Sequence, residues 1–350
     1  MRNILILGAS YGSLLGTKLA MAGHNVTLLC REQTAALINS EGTQVRLKLR
    51  EEAEHRIIAS GDLPGRIDAI TPETADPADY DLIALAMQEP QYKAPAVKAL
   101  MHKIAAAKKP CLSIMNMPPL PYLKRIGQLA NVDLESCFTD ASVWDGFEPG
   151  LISLCSPDPQ AFRPPEEKAN FLHVGLPTNF KATEFADPAH TDMLKELEAD
   201  ILALTLDGKD VPVKLRVFES LFVPLAKWSM LLTGNYRCVM PKGVRPIKEA
   251  VHGDLEASRT MYGFVDDLAQ RLGADPADQV PFEKYANAAN GLLKPSSAAR
   301  AIDGGATQIE RVDRVVQTIA ASMGVSNPEV DKIVATVDAR LKENALESVS

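Results

Sequence analysis

The stretch from Met1 to Arg31 constrains this chain more than any other. Ile4 to Leu7 is a short apolar run that reads as a buried strand. Gly8, Ala9, Ser10, Tyr11 and Gly12 form a turn of mostly small residues. Ser13 to Ala22 has helical periodicity, with Leu14, Leu15 and Leu19 on one side, and Gly23 ends it. Val26 to Leu29 is a second strand. Strand, glycine turn, helix and strand open a dinucleotide-binding unit. A pyrophosphate has to lie against backbone N–H groups at a helix N-terminus, and bulky side chains in the turn would keep it out. The usual pattern is G-x-G-x-x-G. The turn here is Gly8-x-Ser10-x-Gly12, one residue short or without its middle glycine. The expected cofactor contacts are Gly8, Ser10, Tyr11, Gly12 and Ser13. The alternative is a Rossmann-like unit that binds no nucleotide.

The end of the second strand indicates which dinucleotide. An NAD site places Asp or Glu there to bind the ribose hydroxyls. This chain has Cys30 and then Arg31. A neutral residue followed by a planar guanidinium fork suits the 2′-phosphate of NADP. Glu32 follows at once, and a solvated loop charge is the alternative role for Arg31.

A chain of 350 residues with 46% hydrophobic content suits two domains with sizeable cores. The net charge of −8 argues against nucleic acid or an anionic membrane as the main partner. A small anionic substrate needs only a local basic pocket. No apolar segment reaches membrane-spanning length, and the apolar start is too soon interrupted by glycine for a signal peptide. The 5 cysteines show no C-x-x-C spacing, which points to a reducing, cytoplasmic setting. None of the 6 histidines falls in a H-x-x-x-H or H-E-x-x-H cluster, so no metal site is expected.

Strands and helices alternate in the first half. Val45 to Leu49, Arg56 to Ala59, Asp79 to Met87, Cys111 to Met115, Phe138 to Val143, Gly150 to Leu154 and Asn170 to Val174 read as strands. Ala94 to Ala107 and Leu120 to Leu129 read as helices. Ligands of such sheets lie at the carboxyl ends of the strands, so the segments after Met87 and Met115 are site candidates by position. Beyond about Pro188 the character becomes helical. Thr191 to Leu204, Leu215 to Leu232, Pro246 to Leu272, Glu283 to Leu293, Gln308 to Met323 and Pro328 to Leu346 all read as helices. The expected organisation is α/β: a Rossmann-type domain over 1–188 and a mostly α-helical domain over 189–350. The terminal LESVS is expected to fray.

Several of these motifs, in order, resemble the ketopantoate reductase family. Gly12-Ser13-Leu14-Leu15-Gly16 and Ala22 to Arg31 are similar to its first helix and second strand. Ser113-Ile114-Met115-Asn116 resembles its S-x-x-N-G turn. Lys227-Trp228 through Asn235 resembles its catalytic helix, and Ser296-Ser297 with Thr307-Gln308-Ile309 its late S-S … T-E-I segment. The resemblance implies a helical domain like the C-terminal domain of 6-phosphogluconate dehydrogenase, NADP(H) as cofactor, and a small oxo-acid or ketone substrate. It also implies roles for Lys227 and Asn235 in catalysis, for Asn116, Ser297 and Gln308 in substrate binding, and for Gln88 and Asn116 at the cofactor. The chain departs from the pattern. Gln88 replaces a lysine, Leu231 an asparagine and Gln308 a glutamate.

Ketone reduction needs a hydride for carbon and a proton for oxygen. Lys227 is the candidate proton donor, since an ammonium in a dry site stabilises a developing alkoxide and burial brings its pKa towards working pH. Asn235, two helical turns on, is expected near the same face. The bland alternative for Lys227 is a snorkelling surface lysine; for Asn116, an Asx-turn; for Ser296 or Ser297, a helix cap. Losing the Asn and Glu types leaves polar substrate groups unpaired at about 1–3 kcal/mol each, so a substrate less polar or larger than ketopantoate is expected. Two other functions compete. One is an opine-type dehydrogenase reducing an imine, for which His252 is the only late histidine. The other is a nucleotide sensor that kept the fold and lost the chemistry. A homodimer is the default assembly.

Overall fold

The structure is a computed structural model that describes residues 1–50 and 52–348. By its contacts the chain divides into two units: 1–87, 91–122 and 142–219, and 88–90, 123–141 and 220–350.

The first unit is built on strands β1 (Asn3–Leu7), β2 (Asn25–Leu29), β3 (Gln44–Lys48), β4 (His55–Ala59), β5 (Ile67–Ile70), β6 (Leu82–Leu85), β7 (Cys111–Ile114), β8 (Ile152–Ser156), β9 (Gln160–Phe162), β10 (Phe171–Leu176), β11 (Phe180–Thr183), β12 (Thr205–Leu206), β13 (Lys209–Asp210) and β14 (Leu215–Phe218). Its helices are α1 (Gly12–Met21), α2 (Glu32–Glu41), α3 (Pro95–Ala106), the single turn α4 (Leu120–Leu123) and α5 (Pro188–Leu202). Eight strands form one sheet in the order β14-β11-β8-β7-β6-β1-β2-β5. Every pairing in it is parallel except β11 with β8. Strand order reverses at β1, which lies between β2 and β6, so the turn after β1 stands at the topological switch point where such sheets bind ligands. Ile4, Leu5, Ile6 and Leu7 are fully buried, as a strand covered on both faces requires.

The chain departs from its sequence pattern in several places. The runs over 44–48, 55–59 and 171–176 leave the main sheet and pair as a second one, β4-β3-β10-β9. Phe138 to Val143 is no strand; that region holds 3₁₀ turns at Glu135–Cys137 and Ala141–Trp144. The helix expected over 120–129 closes after one turn, followed by a 3₁₀ turn at Gly127–Leu129. The joint expected near Pro188 moves to residue 219, because α5 packs on α1 and β14, and β14 pairs with β11.

The second unit holds α6 (Lys227–Met230), α7 (Ile247–His252), α8 (Leu255–Arg271), α9 (Phe282–Ala289), α10 (Ser297–Asp303), α11 (Val312–Ser322) and α12 (Pro328–Glu347). The helix expected over 246–272 is two, broken where the Asp254 side chain caps α8 through the Ala257 N–H at 3.0 Å. Leu346 and Glu347 end α12; Val349 and Ser350 of the expected frayed terminus lie outside the described residues. Among the described residues no helix is long and apolar enough to cross a membrane, and no cluster of His, Cys, Asp or Glu could hold a metal ion.

Candidate functional site

Gly8 ends β1 with φ +110°, and its N–H donates to the Leu29 carbonyl at 3.0 Å. A β-carbon there would stand 2.7 Å from the Ala86 carbonyl oxygen, so glycine is required by conformation and by space. Gly12 opens α1, and a β-carbon on it would meet Ile6 Cγ2 at 2.5 Å. The two glycines therefore do different work: Gly8 makes the tight turn, and Gly12 lets the helix lie close on the strand. Ser10 is exposed at the middle of the turn.

The other side chains of the turn are committed to the protein. Ser13 is buried and its hydroxyl donates to the Ser10 carbonyl at 2.8 Å. The Tyr11 hydroxyl donates to the Pro159 carbonyl at 2.7 Å, its ring sits edge-on to Phe180, and burial pushes its pKa well up. What Tyr11 and Ser13 offer a phosphate is thus their backbone. No side chain caps α1, and its first turn carries no acidic residue. A helix start with free N–H groups and no competing carboxylate attracts anions.

Arg31 is exposed at the end of β2. It lines a cavity of about 600 Å³ together with Glu32, Gln33, Thr34, Leu37 and Arg163. Arg163 had no local signal in the sequence. It is placed there by β9 pairing with β10 and β10 with β3, a connection no short window can see. Asn116 follows β7 and is half-buried. Gln88 is exposed, in the short segment 88–90 that groups with the second unit.

In the second unit Lys227 is half-buried at the start of α6. The helix expected over 215–232 is really four pieces: β14, a 3₁₀ turn at Val223–Ala226, α6, and a π-turn over Leu231–Asn235. In a continuous α-helix, residues eight apart stand about 80° from one another. Here the chain is not a continuous α-helix: a π-turn over Leu231–Asn235 takes up an extra residue between Lys227 and Asn235. Three neighbours fix this segment. The Tyr285 hydroxyl donates to the Met230 carbonyl at 3.1 Å and fills the space beside Gly234. The buried Ser229 hydroxyl donates to the Asp266 carboxyl, whose pKa burial raises to about 6. The Ser296 hydroxyl donates to the Asn235 carbonyl at 2.8 Å and accepts from the Ala299 N–H at 3.1 Å.

Ser296 thus both caps α10 and anchors the π-turn, whereas Ser297, expected at the substrate, is exposed on the first turn of α10. Gln308 is exposed and lines a cavity of about 140 Å³ with Ser136, Thr139, Arg311 and Arg314. Both arginines there are paired with Asp338, and Arg311 also with Asp313. Leu231 is 4% exposed, so the apolar replacement is part of the packed segment. The His252 Nε2 is held by the Ala286 carbonyl at 2.8 Å. Tyr285, Asp266 and Arg163 were not legible as site residues, because each acts through a contact distant in sequence.

A doubly wound sheet with a glycine turn at its switch point, and a separate helical unit, define the class: two-domain proteins with a Rossmann-type nucleotide-binding fold. Residues 4–116 match the family model described as ketopantoate reductase PanE/ApbA, so the resemblance seen in the motifs is borne out over that domain. Three solved structures are similar over nearly the whole chain. A protein of Ralstonia solanacearum MolK2 assigned as a ketopantoate reductase is 17% identical, covering 99% of each chain with a TM-score of 0.70. A D-mandelate dehydrogenase, described in a ternary structure with NADH and anilino(oxo)acetate, is 14% identical, covering 98% of this chain and 99% of that one at 0.65. The ketopantoate reductase of Staphylococcus aureus, described as dimeric, is 13% identical, covering 98% and 99% at 0.58. These likenesses establish the two-domain fold. Comparison with curated proteins gives no match.

Proposed function

We propose that this protein is an NADPH-dependent reductase of a 2-oxo acid or related ketone. The proposal rests first on the turn from Gly8 to Gly12, which leaves the α1 N-terminus uncapped at the switch point of the sheet. The family match over residues 4–116 supports it. The residues present fit a dinucleotide: backbone N–H groups for the pyrophosphate, and Arg31 beside a neutral Cys30 for a 2′-phosphate. The bound cofactor supplies the hydride.

The chain's own residues do the rest. Gly8, Ser10, Tyr11, Gly12 and Ser13 hold the pyrophosphate through the backbone. Gln88 and Asn116 offer amides to the cofactor. Lys227 gives its proton to the carbonyl oxygen as that oxygen gains charge. Asn235 hydrogen-bonds and orients the same group. Asn116, Ser297 and Gln308 complete the substrate contacts. With Leu231 apolar and Gln308 uncharged, the substrate is a less polar oxo acid than ketopantoate. The anilino group on the ligand of the D-mandelate dehydrogenase is in keeping with that.

The imine-reducing alternative needs a free histidine, and His252 is bound to the Ala286 carbonyl. The protein is taken as a cytoplasmic homodimer. The Staphylococcus aureus relative is described as dimeric, and the cysteines here are all free thiols. The test is NADPH oxidation by purified protein against a panel of 2-oxo acids, with and without added amines. Turnover should need only the oxo acid and favour apolar side chains. Efficient reduction of ketopantoate would overturn the substrate class. Binding of NADPH without turnover of any carbonyl would favour a sensor.

A further inference from the structure

We propose that Arg163 is a second guanidinium for the cofactor's 2′-phosphate, acting with Arg31 in one cavity and setting the preference for NADPH over NADH. This rests on the NADPH assignment above. Arg31 and Arg163 are 132 positions apart, yet both line the cavity at the start of α2. The placement is built by the second sheet. β10 runs parallel to β3, β9 returns along β10, and residue 163 follows directly after Phe162 at the end of β9. Pro164 and Pro165 come next and stiffen the chain there.

Three observations point to an anion. The Nε of Arg163 is buried and has no hydrogen-bond partner. A buried arginine donor that the protein leaves without an acceptor calls for one from outside the chain, a water or an anion. Next, among the described residues neither Arg31 nor Arg163 has an ion pair, although the protein pairs many of its other arginines. Glu32 also lines the cavity, but it is exposed and pairs with neither guanidinium. Finally, the two positive charges are close enough to feel one another. The Arg163 pKa is lowered by burial first and then by Arg31. Like charges gathered in one cavity with no carboxylate paired to either oppose folding, and a bound dianion reverses the sign of that interaction.

A phosphomonoester offers three oxygens and close to two negative charges, enough for both planar forks. The ribose 2′-hydroxyl of NADH has neither the charge nor the acceptors to engage them. Arg163 is therefore a residue that discriminates between the two cofactors.

The experiment measures binding, with no need for a substrate. Dissociation constants for NADPH, NADH, adenosine 2′-monophosphate, adenosine 5′-monophosphate and inorganic phosphate are determined by calorimetry for the parent protein, Arg163→Gln, Arg163→Lys and Arg31→Gln. The thermal midpoint of each variant checks folding. For Arg163→Gln the affinities for NADPH and adenosine 2′-monophosphate should fall by roughly tenfold or more, as for loss of a charged hydrogen bond. Those for NADH and the 5′-monophosphate should stay within about twofold, and Arg163→Lys should lie between. If Arg31→Gln weakens NADPH and Arg163→Gln does not, this inference falls while the NADPH assignment stands. If Arg163→Gln weakens NADPH and NADH alike, Arg163 only holds the loop in place, and the inference again falls. If the parent protein binds neither dinucleotide, the assignment of function fails and takes the inference with it.

Discussion

The hydroxyl of Tyr285 occupies the space that a β-carbon on Gly234 would need, and the same hydroxyl donates to the Met230 carbonyl at 3.1 Å. A π-turn widens the helix and leaves carbonyls without their usual partners. Here one aromatic residue from α9 packs beside the π-turn and gives a hydrogen bond to the Met230 carbonyl at its start. The segment bearing Lys227 and Asn235 is held in its unusual form by a glycine and a tyrosine 51 positions apart.

Gly234→Ala should therefore destabilise the protein by about 1–3 kcal/mol, as overpacking does. The sign is diagnostic, since Gly to Ala within an ordinary helix stabilises by roughly 1 kcal/mol. Urea unfolding measures it. Adding Tyr285→Phe, which removes the obstructing oxygen, should recover part of the loss. A more stable Gly234→Ala protein would refute the packing.

Lys227→Ala should lower kcat by roughly 10²–10⁴ while leaving NADPH affinity within about twofold, the mark of a lost acid rather than a lost binding contact. Steady-state rates and calorimetry separate the two. Turnover that survives the change would remove Lys227 from the chemistry.

Gly8→Ala should abolish dinucleotide binding. The new methyl would force the chain from φ +110° and into the Ala86 carbonyl. Backbone strain of this kind costs on the order of 1–3 kcal/mol. Retention of NADPH affinity in a calorimetric titration would show that the turn is not the phosphate site.

Lys18 makes stability depend on pH. It is fully buried on α1, its ammonium donates to the Pro212 carbonyl at 2.7 Å, and burial with Lys214 nearby lowers its pKa to about 7. Asp210 opposes that shift. In the unfolded chain its pKa is about 10.4. Between about pH 7 and 10 the unfolded state binds more protons, so this residue makes stability rise with pH. Lys18→Met should raise stability near pH 7 and flatten that slope. Urea midpoints at several pH values across the window give the answer; an unchanged slope would contradict it.

Asp266 acts in the acid range with the opposite slope. Its folded pKa of about 6 lies above the unfolded value near 4. The folded state binds more protons between these values, so the favourable protonation is present below about pH 4 and lost as pH rises through 6. Asp266→Asn keeps an acceptor for the Ser229 hydroxyl and should stabilise the protein above pH 6. Denaturation at pH 5 and pH 7.5 tests this. A loss of stability at the higher pH would mean that the ionised carboxylate is the favourable partner.

Much of the nucleotide-binding half was legible because its signals are local. The apolar run of β1, the glycines of the turn and the leucines of α1 are neighbours in sequence, and the helical period is visible within ten residues. The segment from Leu215 to Leu232 misled for the same reason. A short apolar run carries no mark that separates a strand from a helix. Leu215–Phe218 becomes strand β14 because β11 is there to pair with it, and Pro224 stands in the following 3₁₀ turn.

The sequence alone determined a strand, a glycine turn and a helix opening a doubly wound sheet, a helical second unit, and Lys227, Asn235 and Arg31 as candidates. The strand, turn and helices follow from periodicity and from the few conformations a glycine-rich turn allows, which are properties of neighbouring residues. Lys227 and Asn235 come from the resemblance to the ketopantoate reductases, and Arg31 from its place after the second strand. Tertiary structure decided that Ser296, not Ser297, anchors the π-turn, and that Tyr285 and Gly234 shape it. It also decided that Arg163 joins Arg31. Each of these depends on two side chains or strands far apart in sequence coming within a few ångströms. Local propensity cannot encode such an approach, because it is selected by the packing and hydrogen bonding of the whole unit.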